Sequence, residues 1–245
     1  MKKILFLLMA MLLSFSMYAQ KNVTTFLGIP VDGTKAVMRQ KLISKGFTPF
    51  RIGVEECFKG EFNGKNVNIF IVTNNNKVFR LAVLDANTCD EAQIKIRFNN
   101  LVSQFENNKR YFSLGKYTIP DDEHISIEMS VDAKTYYAEY FQRPDTTILG
   151  KKYPHLKELM DRITPEQLDI IQRSWPLTDD AKKVLKESLD SLSDDEKSVM
   201  LKEVVDLLLE STKKHVWFRI DNDYGKYSIA MYYDNEYNKA NGEDL

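Results

Sequence analysis

Residues 58–84 read FKGEFNGKNVNIFIVTNNNKVFRLAVL, and the turn signals in this stretch decide the fold. Phe58 to Phe62 runs into Asn63-Gly64, a dipeptide that tolerates the left-handed backbone of a two-residue hairpin turn. Val67, Ile69 and Ile71 then alternate with other residues, the period of a strand with one buried face. Asn74-Asn75-Asn76 turns the chain once more into Val78 to Leu84. The stretch predicts a three-stranded antiparallel meander.

A helix is predicted on each side of it. Upstream, Thr34 can cap a helix after the Asp32-Gly33 turn, with Met38 and Leu42 on one face and Gly46 at its end. Downstream, Ile94, Phe98, Leu101, Val102 and Phe105 recur at spacings of three and four between Asp90 and Asn107. Strands are predicted again where Ile125, Ile127, Met129 and Val131 alternate, then after Asp132-Ala133 for Thr135–Gln142. A last hairpin joins His215–Asp221 to Lys226–Asp234 around Asp223-Tyr224-Gly225.

Tyr153 to Lys213 has a different, helical grammar. Thr164-Pro165-Glu166 opens a helix with proline at its first position. Ala181, Val184, Leu185, Ser188, Leu189 and Leu192 mark a second apolar stripe. Ser193 and Glu196 form a capping box before Val199, Met200, Val204, Leu207 and Leu208. The expected fold is therefore α+β: an antiparallel sheet with packed helices, made of two helix-plus-meander units and an all-helical insertion over 151–213.

The N-terminus reads as an export signal. Lys2 and Lys3 precede an apolar run from Ile4 to Leu13, and Ser14, Ser16 and Ala19 follow as small residues. Ten apolar residues are too few for a membrane span of about 20. Residues 1–19 are thus expected to be removed, leaving a domain over 20–245 in the periplasm or secreted. Loss of Lys2 and Lys3 moves the formal charge from −1 to −3. With both signs mixed along the chain, nothing resembles the basic footprint of a nucleic-acid or anionic-membrane binder. Export permits a disulfide between Cys57 and Cys89. A meander, however, sets them roughly 20 Å apart, against a Cα limit near 7 Å.

Phe26-Leu27-Gly28-Ile29-Pro30-Val31-Asp32-Gly33-Thr34, running to Lys45-Gly46-Phe47, resembles the start of a group of uncharacterised exported proteins of Bacteroidota. Phe62-Asn63-Gly64, Val72 to Val78, Ile96 to Leu101 and the closing Ala240 to Leu245 are similar to the same group. The resemblance spans most of the chain outside the helical segment and implies no activity. Gly33-Thr34 more loosely resembles the turn that opens a sheet-packed helix in folds of the β-lactamase-inhibitor-protein and outer-membrane-assembly-lipoprotein type. That resemblance implies a protein partner held on an open sheet face. No cysteine follows the apolar run, a departure from the lipoprotein members.

Catalytic signatures are sparse. His124, His155 and His215 are the only histidines, with no His-Glu-x-x-His or Cys-x-x-Cys spacing. Ser113–Lys116 and Ser211–Lys214 match Ser-x-x-Lys without the Ser-Asp-Asn and Lys-Thr-Gly elements that this chemistry needs. Gly-x-Ser-x-Gly, Gly-x-Gly-x-x-Gly and phosphate-loop patterns are absent. Asp221 to Gly225 begins like a calcium loop but has glycine fifth and Tyr232 twelfth, so a turn explains it. Glu55-Glu56, Asp121-Asp122-Glu123 and Asp179-Asp180 suit loops and helix starts. No catalytic residue, metal site or cofactor is expected.

The most informative pattern is the two-sidedness of the C-terminal strands. One face is expected to hold Ile125, Ile127, Met129 and Val131, Tyr137 and Phe141, Val216, Phe218 and Ile220, then Tyr227, Ile229, Met231 and Tyr233 as core. The other carries Ser126, Glu128 and Ser130, Tyr136, Ala138 and Tyr140, His215, Trp217 and Arg219, then Ser228, Ala230 and Tyr232. Small residues beside Trp, Tyr and Arg suit a protein-contact surface. Trp217, Tyr136, Tyr140, Tyr232 and Arg219 are the contact candidates of a non-catalytic exported protein that binds another macromolecule, a protein partner being expected. Three alternatives stay open: the inserted helices cover this face, a groove takes a small ligand or glycan, or scattered acids and histidines assemble an active site.

Overall fold

The computed structural model describes residues 23–143, 150–164, 166–167, 179–190, 192–240 and 242. The expected signal of 1–19, Pro165, and the closing residues 241 and 243–245 lie outside the described residues. So do the side chains of Ala181, Val184, Leu185 and Ser188 in the second helical stripe.

The chain divides into two compact units, one over 143–212 and one over 23–142 with 213–245. In the larger unit a small hairpin, β1 (Thr25–Phe26) and β2 (Ile29–Pro30), precedes helix α1 (Lys35–Ser44). Four strands follow: β3 (Thr48–Ile52), β4 (Glu55–Phe62), β5 (Lys65–Asn74) and β6 (Lys77–Asp85). Helix α2 (Glu91–Glu106) leads to β7 (Tyr111–Phe112), the short helix α3 (Ile125–Val131), and β8 (Tyr137–Gln142). β9 (Lys214–Asp223) and β10 (Lys226–Asn235) complete the unit. The order β3-β4-β5-β6-β10-β9-β8-β7 makes one eight-stranded antiparallel sheet.

Local chemistry explains the element ends. Thr34 accepts the Val37 N–H at the start of α1, and Asp90 accepts that of Gln93 at the start of α2. Asn63 and Gly64 both have positive φ, as do Asn75 and Asn76, and Tyr224 and Gly225. Each pair is the two-residue corner that matches the twist of its flanking strands.

The helices pack on a single face of this sheet. Met38 and Leu42 of α1, and Ile94, Phe98, Leu101 and Val102 of α2, are buried with Phe58, Ile69, Val83, Met231 and Phe218 in one core. Phe98 meets Phe218 edge-on with ring centroids 5.1 Å apart. Phe26 of β1 lies 5.0 Å from Tyr233 on the same side.

Residues 125–131 are not a strand as their alternation suggests but helix α3. Apolar residues at 125, 127, 129 and 131 satisfy a period of two, yet 125 and 129 also satisfy the i, i+4 spacing of a helix. Ile125 is buried and Met129 packs beside it on the core, whereas Ile127 is 54% and Val131 75% exposed. Asp132-Ala133 accordingly ends a helix, with Ala133 at positive φ. Besides the short β1–β2 hairpin, two strands of the eight-stranded sheet escaped the sequence pattern. β3 contains Pro49, which an edge strand tolerates because it lacks a neighbour on one side. β7 has only two residues.

The smaller unit holds α4 (Pro154–Arg162), α5 (Asp179–Asp190) and α6 (Asp194–Thr212). Glu203 of α6 caps α4, accepting the Leu156 N–H at 2.8 Å and facing His155 Nδ1 at 2.8 Å. The Ser193 and Glu196 capping box opens α6, with each backbone N–H bonded to the other's side chain. Among the described residues, no helix is long and apolar enough to cross a membrane.

Candidate functional site

The second face of the sheet follows from strand register. Phe70, Ala82, Tyr232, Trp217 and Glu139 are successive cross-strand partners, one row from β5 to β8. The next row is Val72, Arg80, Asp234, His215 and Phe141, extended by Phe112. Leu84, Ala230, Arg219 and Tyr137 form the row on the other side.

Trp217 and Tyr232 lie directly opposite each other and stack, with centroids 4.1 Å apart and planes 22° from parallel. The Arg80 guanidinium lies over both rings, 5.5 Å from Trp217 and 5.0 Å from Tyr232. Ala82 lies directly opposite Tyr232 on β6, and Ala230 precedes it by two residues on β10.

Asp234, 1% exposed, ties this group together. Its Oδ1 accepts from Arg80 Nε at 2.6 Å, and its Oδ2 from Arg80 Nη2 at 2.7 Å and Trp217 Nε1 at 2.9 Å. His215 Nε2 is 3.3 Å from Oδ2 and 3.7 Å from Glu139 Oε1. Burial alone would raise the pKa of Asp234; hydrogen bonds from Arg80, His215 and Trp217 outweigh it and hold it at about 2. Asp234 in turn raises the pKa of Arg80.

His215, Asp234 and Glu236 bring ligand-type atoms within 4.8 Å of one another. Their existing bonds are those of an ion-pair network. Asp234 Oδ2 already accepts from Arg80 and Trp217, which uses both lone pairs of an sp² oxygen. Glu236 is held by Lys239 at 3.0 Å. A cation on Asp234 Oδ2 would have to displace the guanidinium or the indole N–H.

The structure brings together three of the five contact candidates. Trp217 and Tyr232 form the stack, and Arg219 stands one row away, half-exposed and paired with Asp221 at 2.8 Å. Tyr136 and Tyr140 do not belong to this face. Tyr140 pairs with Val216 and Ala138 with Phe218, which points them to the helix side. There the Tyr140 ring stacks on Phe105 at 4.7 Å, and Tyr136 is buried with its hydroxyl on Glu123. Tyr137 and Phe141, expected in the core, stand on the outward face instead, opposite Arg219 and His215, and Tyr137 is 53% exposed. Both phases of Tyr-Tyr-Ala-Glu-Tyr-Phe present aromatics, so the pattern alone cannot choose. In the structure Ala138, opposite Phe218, and Tyr140, opposite Val216, are the residues turned to the core.

Arg80 and Asp234 were the members that pattern reading missed. Their signal was present: Arg80 lies between Phe79 and Leu81 and Asp234 follows Met231-Tyr232-Tyr233, and charges set among such residues are buried only when paired. Compared with protein-family models, with curated proteins and with solved structures, the chain matches none.

Proposed function

We propose that the chain is an exported, non-catalytic binding protein that contacts a protein partner through the second face of its sheet, in the periplasm or outside the cell. In this reading two helix-plus-meander units share one sheet, an all-helical insertion joins β8 to β9, and the residues at 1–19 serve only export. The observation that carries it is the Trp217–Tyr232 stack, clamped by Arg80 and Asp234 on the face opposite α1 and α2. A rigid aromatic pair loses little entropy on contact, and Trp, Tyr and Arg dominate the energetics of protein interfaces.

The same geometry weighs against a glycan. Stacking on a sugar needs an open ring face, yet each ring covers one face of the other and Arg80 lies over both. It also weighs against hydrolysis through His215, because its closest carboxylate is committed to Arg80 and Trp217.

A photo-reactive residue at Tyr137 or Arg219 tests the proposal, with Val37 on α1 as the control. Adducts with one protein from the first two positions and none from Val37 are expected. Equal adducts from all three positions, or none from the sheet face, would remove the proposal.

A further inference from the structure

On the helix side of the sheet, away from the aromatic stack, a cleft of about 420 Å³ lies among the β1–β2 turn, the β4–β5 turn and the last turns of α2. That volume falls in the range of small-molecule sites. It suits a body of roughly a dozen heavy atoms, taking about 30 Å³ for each. Leu27, Phe62, Leu101, Phe105 and Met231 give it apolar walls. Asn63 Nδ2 donates to Gln104 Oε1 at 3.0 Å across one side, fixing the β4–β5 turn to α2.

Thr25, Asn63, Gln104, Asn108 and Tyr111 also line this cleft, together with Tyr233 and Arg110. Tyr233 is 5% exposed, and among the described residues its hydroxyl has no hydrogen-bond partner. A hydroxyl that lines a cleft and bonds to no other side chain can donate to or accept from a ligand atom there. Arg110 stands on the same wall, its Nη2 donating to Thr25 Oγ1 at 2.5 Å. Its charge acts on Tyr233. Glu61, exposed at the edge of the cleft, supplies the one negative charge of the lining.

We infer that this cleft binds a small amphipathic carboxylate, its apolar body against Phe62, Leu101, Phe105 and Met231 and its head accepting from Tyr233 Oη beside Arg110. Donors on one wall and apolar side chains on the others select a ligand with one anionic end. The site is independent of the sheet-face proposal, because the two lie on opposite faces of the sheet.

Sodium octanoate, with ten heavy atoms, is the probe. Calorimetry on the purified protein is combined with the NMR signal of the Met231 methyl, assigned by Met231→Leu. Saturable one-to-one binding that shifts Met231 is expected, with 1-octanol at least about tenfold weaker for lack of charge. Tyr233→Phe keeps the ring and removes a hydroxyl without a partner, so its thermal midpoint should match or exceed that of the parent. Octanoate affinity should fall about fivefold in this variant. Four results would each overturn the assignment. These are no saturation, equal binding of octanol, undiminished binding by a folded Tyr233→Phe variant, or a response at Trp217 with none at Met231.

Discussion

Arg80 and Asp234 meet fork to fork across the central strands β6 and β10, with both guanidinium–carboxylate contacts at 2.6–2.7 Å. β6 and β10 are the last strands of the two halves of the sheet, so this pair bonds one half to the other at the seam. Breaking a buried pair by removing one partner costs about 3–5 kcal/mol. Arg80 keeps a quarter of its side chain accessible, so water can reach it when its partner is lost. Asp234→Asn should therefore destabilise the protein by about 2–3 kcal/mol, near the lower end. Urea unfolding measures this, and Arg80→Met with Asp234→Asn should cost clearly less than the sum of the two single changes.

The same carboxylate sets an acid limit. Asp234 titrates at about 2 in the folded protein and near 3.9 in an unfolded chain. Its folded pKa is depressed, so its contribution is complete above pH ~4 and is lost as pH falls towards 2. The shift corresponds to about 2–3 kcal/mol. Stability should drop by that amount between pH 4 and pH 2, over and above the loss seen in Asp234→Asn. Parallel slopes for the two proteins in that window would contradict the assignment.

Register makes neighbouring tyrosines unequal. Tyr140 packs against Phe105 and Phe218 in the core, at 4.7 Å and 6.1 Å between ring centroids. Tyr137, one turn of the pleat away on the other face, is half-exposed. Tyr140→Ala should cost about 3–5 kcal/mol, the range for an aromatic removed from a core. Tyr137→Ala should stay within about 0.5 kcal/mol of the parent. Chemical denaturation of the two variants separates them, and a reversed order would shift β8 by one residue.

These strands also show what a sequence discloses. Asn63-Gly64 and Asn75-Asn76 are legible because few residues accept the left-handed backbone a tight hairpin demands. The stripes of α1 and α2 are legible because they persist for several turns. Residues 125–131 are too short to separate the two periods, and only packing against α2 and the core chooses the helix. Tyr136 and Tyr140 were misplaced for a related reason. Aromatics in both phases of β8 leave its orientation to Phe218, a partner far along the chain. The Trp217–Tyr232 pairing was half legible, since both residues fall in the outward phase of adjacent strands. The Arg80 clamp was not, because β6 and β10 become neighbours only through the strand order of the whole sheet.

The cysteines follow from the same strand order. Cys57 lies on β4, buried, with its thiol near the Phe50 carbonyl, and Cys89 follows β6 and bonds through its backbone to Tyr227. Two strand spacings put them at least about 10 Å apart, beyond the reach of a disulfide, and both thiols are free. Burial raises the pKa of each, which lowers the reactive thiolate fraction near neutrality. Without reductant, iodoacetamide in urea should add two groups to every molecule. In native buffer Cys89, which is partly accessible, should react first and Cys57 only at the rate of unfolding. A species that takes up no label in urea would mean that the strands can bring the two sulfurs together, and the order of β4, β5 and β6 would have to change.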